Sequence, residues 1–288
     1  MIEEIVDDLH RIVETHAQWI KLHAAEYLVW SGRRDKVMQL ILKEAYNHNQ
    51  TPKYRIGIWR LLAQMELDPA RRSIWESKIL AVFNDLTAPD RLHAIESLAK
   101  LKVAAPGTED ILRQDLLQAE LSSFDLYSIW NAAYHPGIGD EKIRVSVLEL
   151  LTHFRQLHRV DAMLLCSYIL RYLGDMSYDQ WGLFNDLVVS VGDDDVPFYA
   201  SLLATAWITA PKDATSLDIE RIRLKLSGIA KNPMVFPHLL AALALKGGTT
   251  ELELAKRCYL EARQDERERY DADMHAAAAY AVLSILEG

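Results

Sequence analysis

One short helical signature returns along the whole chain at nearly constant spacing, and that recurrence limits the fold more than any other feature. With Leu22-His23-Ala24-Ala25 and Leu28 as the reference, comparable segments are Ile56-Gly57-Ile58-Trp59, Leu92-His93-Ala94-Ile95, Leu126-Tyr127-Ser128-Ile129, Ala162-Met163-Leu164-Leu165, Phe198-Tyr199-Ala200-Ser201, Pro237-His238-Leu239-Leu240 and Met274-His275-Ala276-Ala277. Their second residues lie at 23, 57, 93, 127, 163, 199, 238 and 275, in steps of 34, 36, 34, 36, 36, 39 and 37. A period of this size marks stacked units, none of which can bury its apolar face alone. The 288 residues would admit two ordinary domains, but the period reads as one array over 1–288.

The units are helical. Glycine and proline number 12 and 9 and fall between apolar-periodic segments. Spacings of three and four dominate, as in Ile79, Val82, Phe83 and Leu86 or Leu183, Phe184, Leu187 and Val188. Each reference helix is followed by room for a turn and a second helix: Asp35 to Asn47, Pro69 to Leu86, Glu109 to Leu121, Thr250 to Ala262. The expectation is an all-α fold, an α-α superhelix of about eight helical hairpins, with 1–17 capping the first and 270–288 the last. The final helix has an apolar face of Met274, Ala277, Ala278, Ala281, Val282 and Ile285 with no repeat after it. That face is expected to dock on another chain, a homodimer through the C-terminal helix being one form, or to fold over the protein itself.

The first unit runs Trp19-Ile20-Lys21-Leu22-His23-Ala24-Ala25-Glu26-Tyr27-Leu28, then Gly32 and Asp35-Lys36-Val37. It resembles the HEAT repeat in its short, phycobiliprotein-lyase-like form: a basic residue, alanines three and four later, a leucine, a glycine turn and a second helix. Arg91-Leu92-His93-Ala94-Ile95-Glu96-Ser97-Leu98 matches the first helix again, and Lys142 to Leu151 echoes it more loosely. Later units keep the spacing and lose the alanines. The resemblance implies a solenoid with a concave binding face.

Charge narrows the partners. Lys plus Arg number 32 against 41 Asp plus Glu, a net charge of −9, which argues against nucleic acid and for a basic partner segment. The arginines at 33, 34, 71, 72, 221 and 223 sit among acids and read as solvated faces. No apolar run approaches the roughly 20 residues of a membrane span, so no membrane insertion is expected. Two distant cysteines, Cys166 and Cys258, imply no disulfide framework, and the chain reads as cytoplasmic.

Chemical motifs are sparse. Histidine holds the reference position at His23, His93, His238 and His275, and Glu26 and Glu96 follow two of them by one turn. Such pairs share a helix face and could ligate a metal. HEAT-like di-iron hydroxylases, however, use adjacent His-Glu pairs, which this chain lacks, and a linear stack puts His23 and His93 roughly 20 Å apart at about 10 Å per repeat. These histidines therefore read as hydrogen-bonding groups at repeat interfaces. The run Asp193-Asp194-Asp195 reads as helix capping. Nucleophile and phosphate-loop motifs are absent, so no catalytic residue, metal or cofactor is assigned. The turn His135-Pro136-Gly137-Ile138-Gly139 reads as a long connection, with a binding loop as the alternative. Trp59, Trp75 and Trp181 are in phase with the core, whereas Trp19, Trp30 and Trp130 lie off the stripe and are candidate interface aromatics.

Together these features predict a non-enzymatic protein- or peptide-binding scaffold, with Trp19, His23, Trp30, His93, Trp130 and His135 as candidate contacts. The alternative is an enzyme with a small site on the concave face, lyase-like or carbohydrate-processing.

Overall fold

Every one of the eight reference residues lies on a helix. The structure, a computed structural model, describes residues 1–191, 196–212, 214–229, 232, 234–264 and 271–288. The helices are α1 Ile2–Thr15, α2 Gln18–Trp30, α3 Asp35–His48, α4 Tyr54–Met65, α5 Pro69–Asn84, α6 Arg91–Leu101, α7 Ser123–Ala132, α8 Gly139–Gln156, α9 Val160–Leu170, α10 Tyr178–Val191, α11 Val196–Ile208, α12 Ser216–Ile229, α13 Phe236–Lys246, α14 Leu252–Gln264 and α15 Ala272–Glu287. No strand occurs among the described residues, and none of their helices is long and apolar enough to cross a membrane. The acidic run at 193–195 lies outside the described residues.

Local chemistry sets the helix starts. Asp68 accepts from Ala70 N at 2.9 Å with Pro69 behind it, Ser122 and Asp125 form a capping box, and Asp271 accepts from Met274 N at 2.9 Å. The predicted helix over 109–121 is replaced by a 3-10 turn, Thr108–Arg113, followed by further turns. The Asp115 carboxylate accepts from Leu117 N at 3.1 Å, offering the backbone a turn in place of a helix.

Contacts cluster into two compact units: Met1–Pro106 with Gly248–Gly288, and Gly107–Gly247. The repeat spacing in the sequence does not mark this division.

In the first unit the reference helices pack side by side in the order α15, α2, α4, α6, with α1, α3, α5 and α14 against them. A helix covered on several sides is apolar around most of its circumference. Ile56 to Ala63 of α4 are accordingly buried without a break. In the second unit α7, α9, α11 and α13 form the corresponding row, and residues 198–208 of α11 are all buried.

The placement of α15 follows the second of the two expectations for the C-terminal face, folding over the protein itself. Ala278, Ala281 and Val282 are fully buried, and the helix packs on α1, α2 and α14. The face offered to a second copy is thus used within the chain, by fold-over. Asp8 fastens the closure: it accepts from Tyr259 Oη at 2.6 Å and lies 3.2 Å from Arg263 Nε and 3.3 Å from the fully buried His275 Nε2.

Candidate functional site

The first unit holds a cleft of about 230 Å³ lined by Trp19, His23, Ile56, Gly57, Arg60, His93, Glu96, Ser97 and Lys100. Three of the six candidate contacts meet there. The Trp19 ring lies 6.2 Å from His23 and 6.3 Å from His93, with interplanar angles of 32° and 27°. This corrects the linear estimate of roughly 20 Å between the histidines, because one indole from α2 reaches across α4 to α6. Gly57 makes the crossing possible: a Cβ there would lie 2.8 Å from both Trp19 Cζ3 and Leu22 Cδ1.

The frame of the cleft is fixed by ion pairs between neighbouring reference helices. Arg60 donates to both oxygens of Glu26 at 3.1 and 3.0 Å, joining α4 to α2, and each residue is only 6 % exposed. Asp90, fully buried at the start of α6, accepts from Arg55 Nε at 2.7 Å, Arg55 Nη2 at 3.0 Å and Lys53 N at 3.3 Å. Burial opposes its charge, but the Arg55 guanidinium holds the carboxyl below its ordinary range. His93 sits one turn beyond this anchor. Behind Trp19, Tyr54 meets the indole edge-on at 5.9 Å and donates to Glu44, which also accepts from Lys21 at 2.6 Å.

The two histidines differ in their partners. His23 Nδ1 lies 2.8 Å from Asp273 Oδ1, which ties α2 to α15. His93 Nδ1 is buried and has no hydrogen-bond partner among the described residues. Burial holds its pKa below the ordinary imidazole range, against the pull of Glu96, so the ring is neutral at physiological pH. Glu96 is engaged by Lys100 at 2.8 Å, and Glu26 by Arg60. Neither glutamate is therefore disposed toward the histidine one turn before it, and no group of three His, Cys, Asp or Glu among the described residues could hold a metal ion. The cleft is polar yet internally neutralised, with Glu96 its one lining carboxylate.

The remaining candidates lie elsewhere. Trp30 is 49 % exposed and forms an aromatic group with Tyr27 and Tyr280, whose rings stack at 4.8 Å. Trp130 is fully buried, contrary to its place among the interface aromatics. It packs against Tyr172 of the neighbouring helix segment at 4.8 Å and donates from Nε1 to Tyr134 Oη at 3.1 Å. A reference helix is covered on more than one side, so lying off the main stripe does not bring a residue to the surface. His135 joins Thr108 at 3.0 Å and Glu109 at 3.1 Å, holding the 3-10 turn to α7. Of the core tryptophans, Trp59 and Trp181 are buried and Trp75 is half-buried beneath Lys78.

Sequence reasoning missed the buried Glu26–Arg60 and Asp90–Arg55 pairs. A charge at an otherwise apolar position of a reference helix is their signal, since a buried charge requires a partner. Compared with protein-family models, curated proteins and solved structures, the chain matches none.

Proposed function

We propose that the protein is a non-enzymatic, HEAT-like binding module whose Trp19 cleft receives a side chain from a partner protein or peptide. The observation that carries this reading is His93, whose ring stacks on Trp19 in the lining of the cleft and whose Nδ1 is unmatched among the described residues. A buried polar atom without a partner costs about 1–3 kcal/mol, and a ligand that supplies the hydrogen bond recovers it. Because the charges are compensated in place, the complementary group is an uncharged planar side chain that stacks on Trp19 and bonds to His93. The lining offers a single carboxylate, already paired with Lys100, and so no acid–base pair for cleaving a sugar linkage.

The test is selection of binders from a displayed peptide library on the full chain, followed by calorimetry against Trp19→Ala and His93→Leu. Selected peptides should lose at least ten-fold in affinity with both variants, while His93→Leu keeps or raises the melting temperature by removing an unmatched polar group. Peptides that bind both variants as tightly as the wild type would overturn the proposal.

A further inference from the structure

Several cations that anchor one element to another are matched by carboxylates: Arg60 by Glu26, Arg55 by Asp90, Arg144 by Glu141 and Lys246 by Asp175. Arg171, at the C-terminal cap of α9, is not. Its Nε donates to Thr205 Oγ1 at 2.9 Å, and its Nη2 donates to Ser201 O at 2.9 Å and Ser201 Oγ at 3.1 Å. All three acceptors are neutral and sit on α11, where Ser201 is 3 % exposed and Thr205 fully buried. Thr205 is itself held by Ser167 of α9, oxygen to oxygen at 2.7 Å. These bonds fix the guanidinium rigidly without neutralising it.

The remaining donors point to a ligand. Nη1 carries two N–H groups and has no acceptor among the described residues. Arg171 as a residue is half-buried, held between α9 and α11. Two phenols stand beside it: Tyr168 and Tyr172, whose hydroxyls are 3.3 Å apart, both favour the charged guanidinium. His238 from α13 is also close enough to feel the cation. Burial works against both cationic forms, pushing Arg171 down to about 10 and His238 down to about 4. A C-terminal helix cap gives Arg171 partial compensation from the helix dipole, but only as a fraction of a charge.

We infer that Arg171, with the Tyr168 and Tyr172 hydroxyls, forms a binding site for one oxyanion group, a phosphoryl or carboxyl, in the second unit. The anion accepts from Nη1 and from the phenols and supplies the counter-charge that the protein withholds. This site is separate from the Trp19 cleft, and neither reading depends on the other.

The experiment uses the full-length protein at constant ionic strength, with chloride exchanged for inorganic phosphate in one arm and for acetate in the other. Thermal unfolding and the NMR titration of His238 are the two readouts. At least one anion should raise the melting temperature saturably and move the His238 titration toward neutral pH, because a bound anion offsets the Arg171 charge; which arm responds identifies phosphoryl or carboxyl as the source. Tyr172→Phe, which keeps the ring against Trp130, should weaken that anion about five-fold. Arg171→Met should abolish both responses, and Arg171→Lys, which keeps the charge and loses the fork, should retain a weaker one if Arg171→Met does not fold. Absence of any response beyond chloride overturns the inference, as does the same response in the Tyr172 and Arg171 variants as in the wild type.

Discussion

Replacing Arg60 by Met should be among the most damaging single changes in the first unit, and its cost should be largely reversed by a second change at Glu26. The pair makes two charge-assisted bonds at 3.1 and 3.0 Å, and both residues are 6 % exposed. Arg60→Met leaves the Glu26 carboxylate between α2 and α4 with no cation, which costs about 3–5 kcal/mol for a buried pair broken on one side. Glu26→Leu with Arg60→Met removes both charges and should lie within about 1–2 kcal/mol of the wild type, since the desolvation cost disappears with the attraction. The second change should therefore recover about 2–3 kcal/mol of the loss, whereas an exposed pair couples by less than about 1 kcal/mol. Urea unfolding of the four proteins of the cycle measures it, and hydrogen exchange of the α2 and α4 amides shows that the loss is local. The reasoning is refuted if Arg60→Met costs less than 1 kcal/mol or if the double variant is no more stable than the single.

Trp130→Ala should lower stability by about 3–5 kcal/mol, whereas Trp30→Ala should change it by less than about 1 kcal/mol; chemical denaturation of the two variants compares a buried indole with a half-exposed one. His238 gives the second unit an acid limb. Its folded pKa of about 4 lies below the ordinary 6.5, so the unfolded chain takes up the proton first, and stability falls by about 2–3 kcal/mol as pH drops from about 6.5 to about 4. His238→Gln should flatten that limb, and an unchanged pH profile would count against the burial argument. Deleting residues 271–288 should unfold the first unit and drive aggregation, because the partners of Val282, Leu283 and the buried alanines on α1 and α2 become exposed; a monomeric, well-folded truncation in size-exclusion chromatography would contradict the fold-over of α15.

The parts of this fold that were legible in the sequence are those set by neighbours along the chain. The 3.6-residue period, the scarcity of glycine and the capping residues placed all eight reference positions on helices. What escaped depends on neighbours across the fold. Phase analysis assigns one buried stripe to each helix, and it failed for Trp130 because its helix is covered on two sides. The estimate for His23 and His93 assumed that each repeat adds one helix diameter, and it failed because Gly57 lets a single indole span the interval. His23 meets Asp273 across 250 residues, a separation with no local signature.

The Arg171 cluster differs from these, because its trace was present. Ser201 and Thr205 share one face of the otherwise apolar α11, and Thr209 follows four residues on, just past its end. Buried hydroxyls require partners, and a polar ladder on a helix covered all round means that a polar group from a neighbouring helix must lie against it. In the structure Arg171 is that group for Ser201 and Thr205, while Thr209 closes onto the Thr205 carbonyl at 2.7 Å. Spacing of polar residues on an apolar helix thus identifies where a charge enters a helical stack; whether the entering charge is matched decides if the contact is a joint or a site.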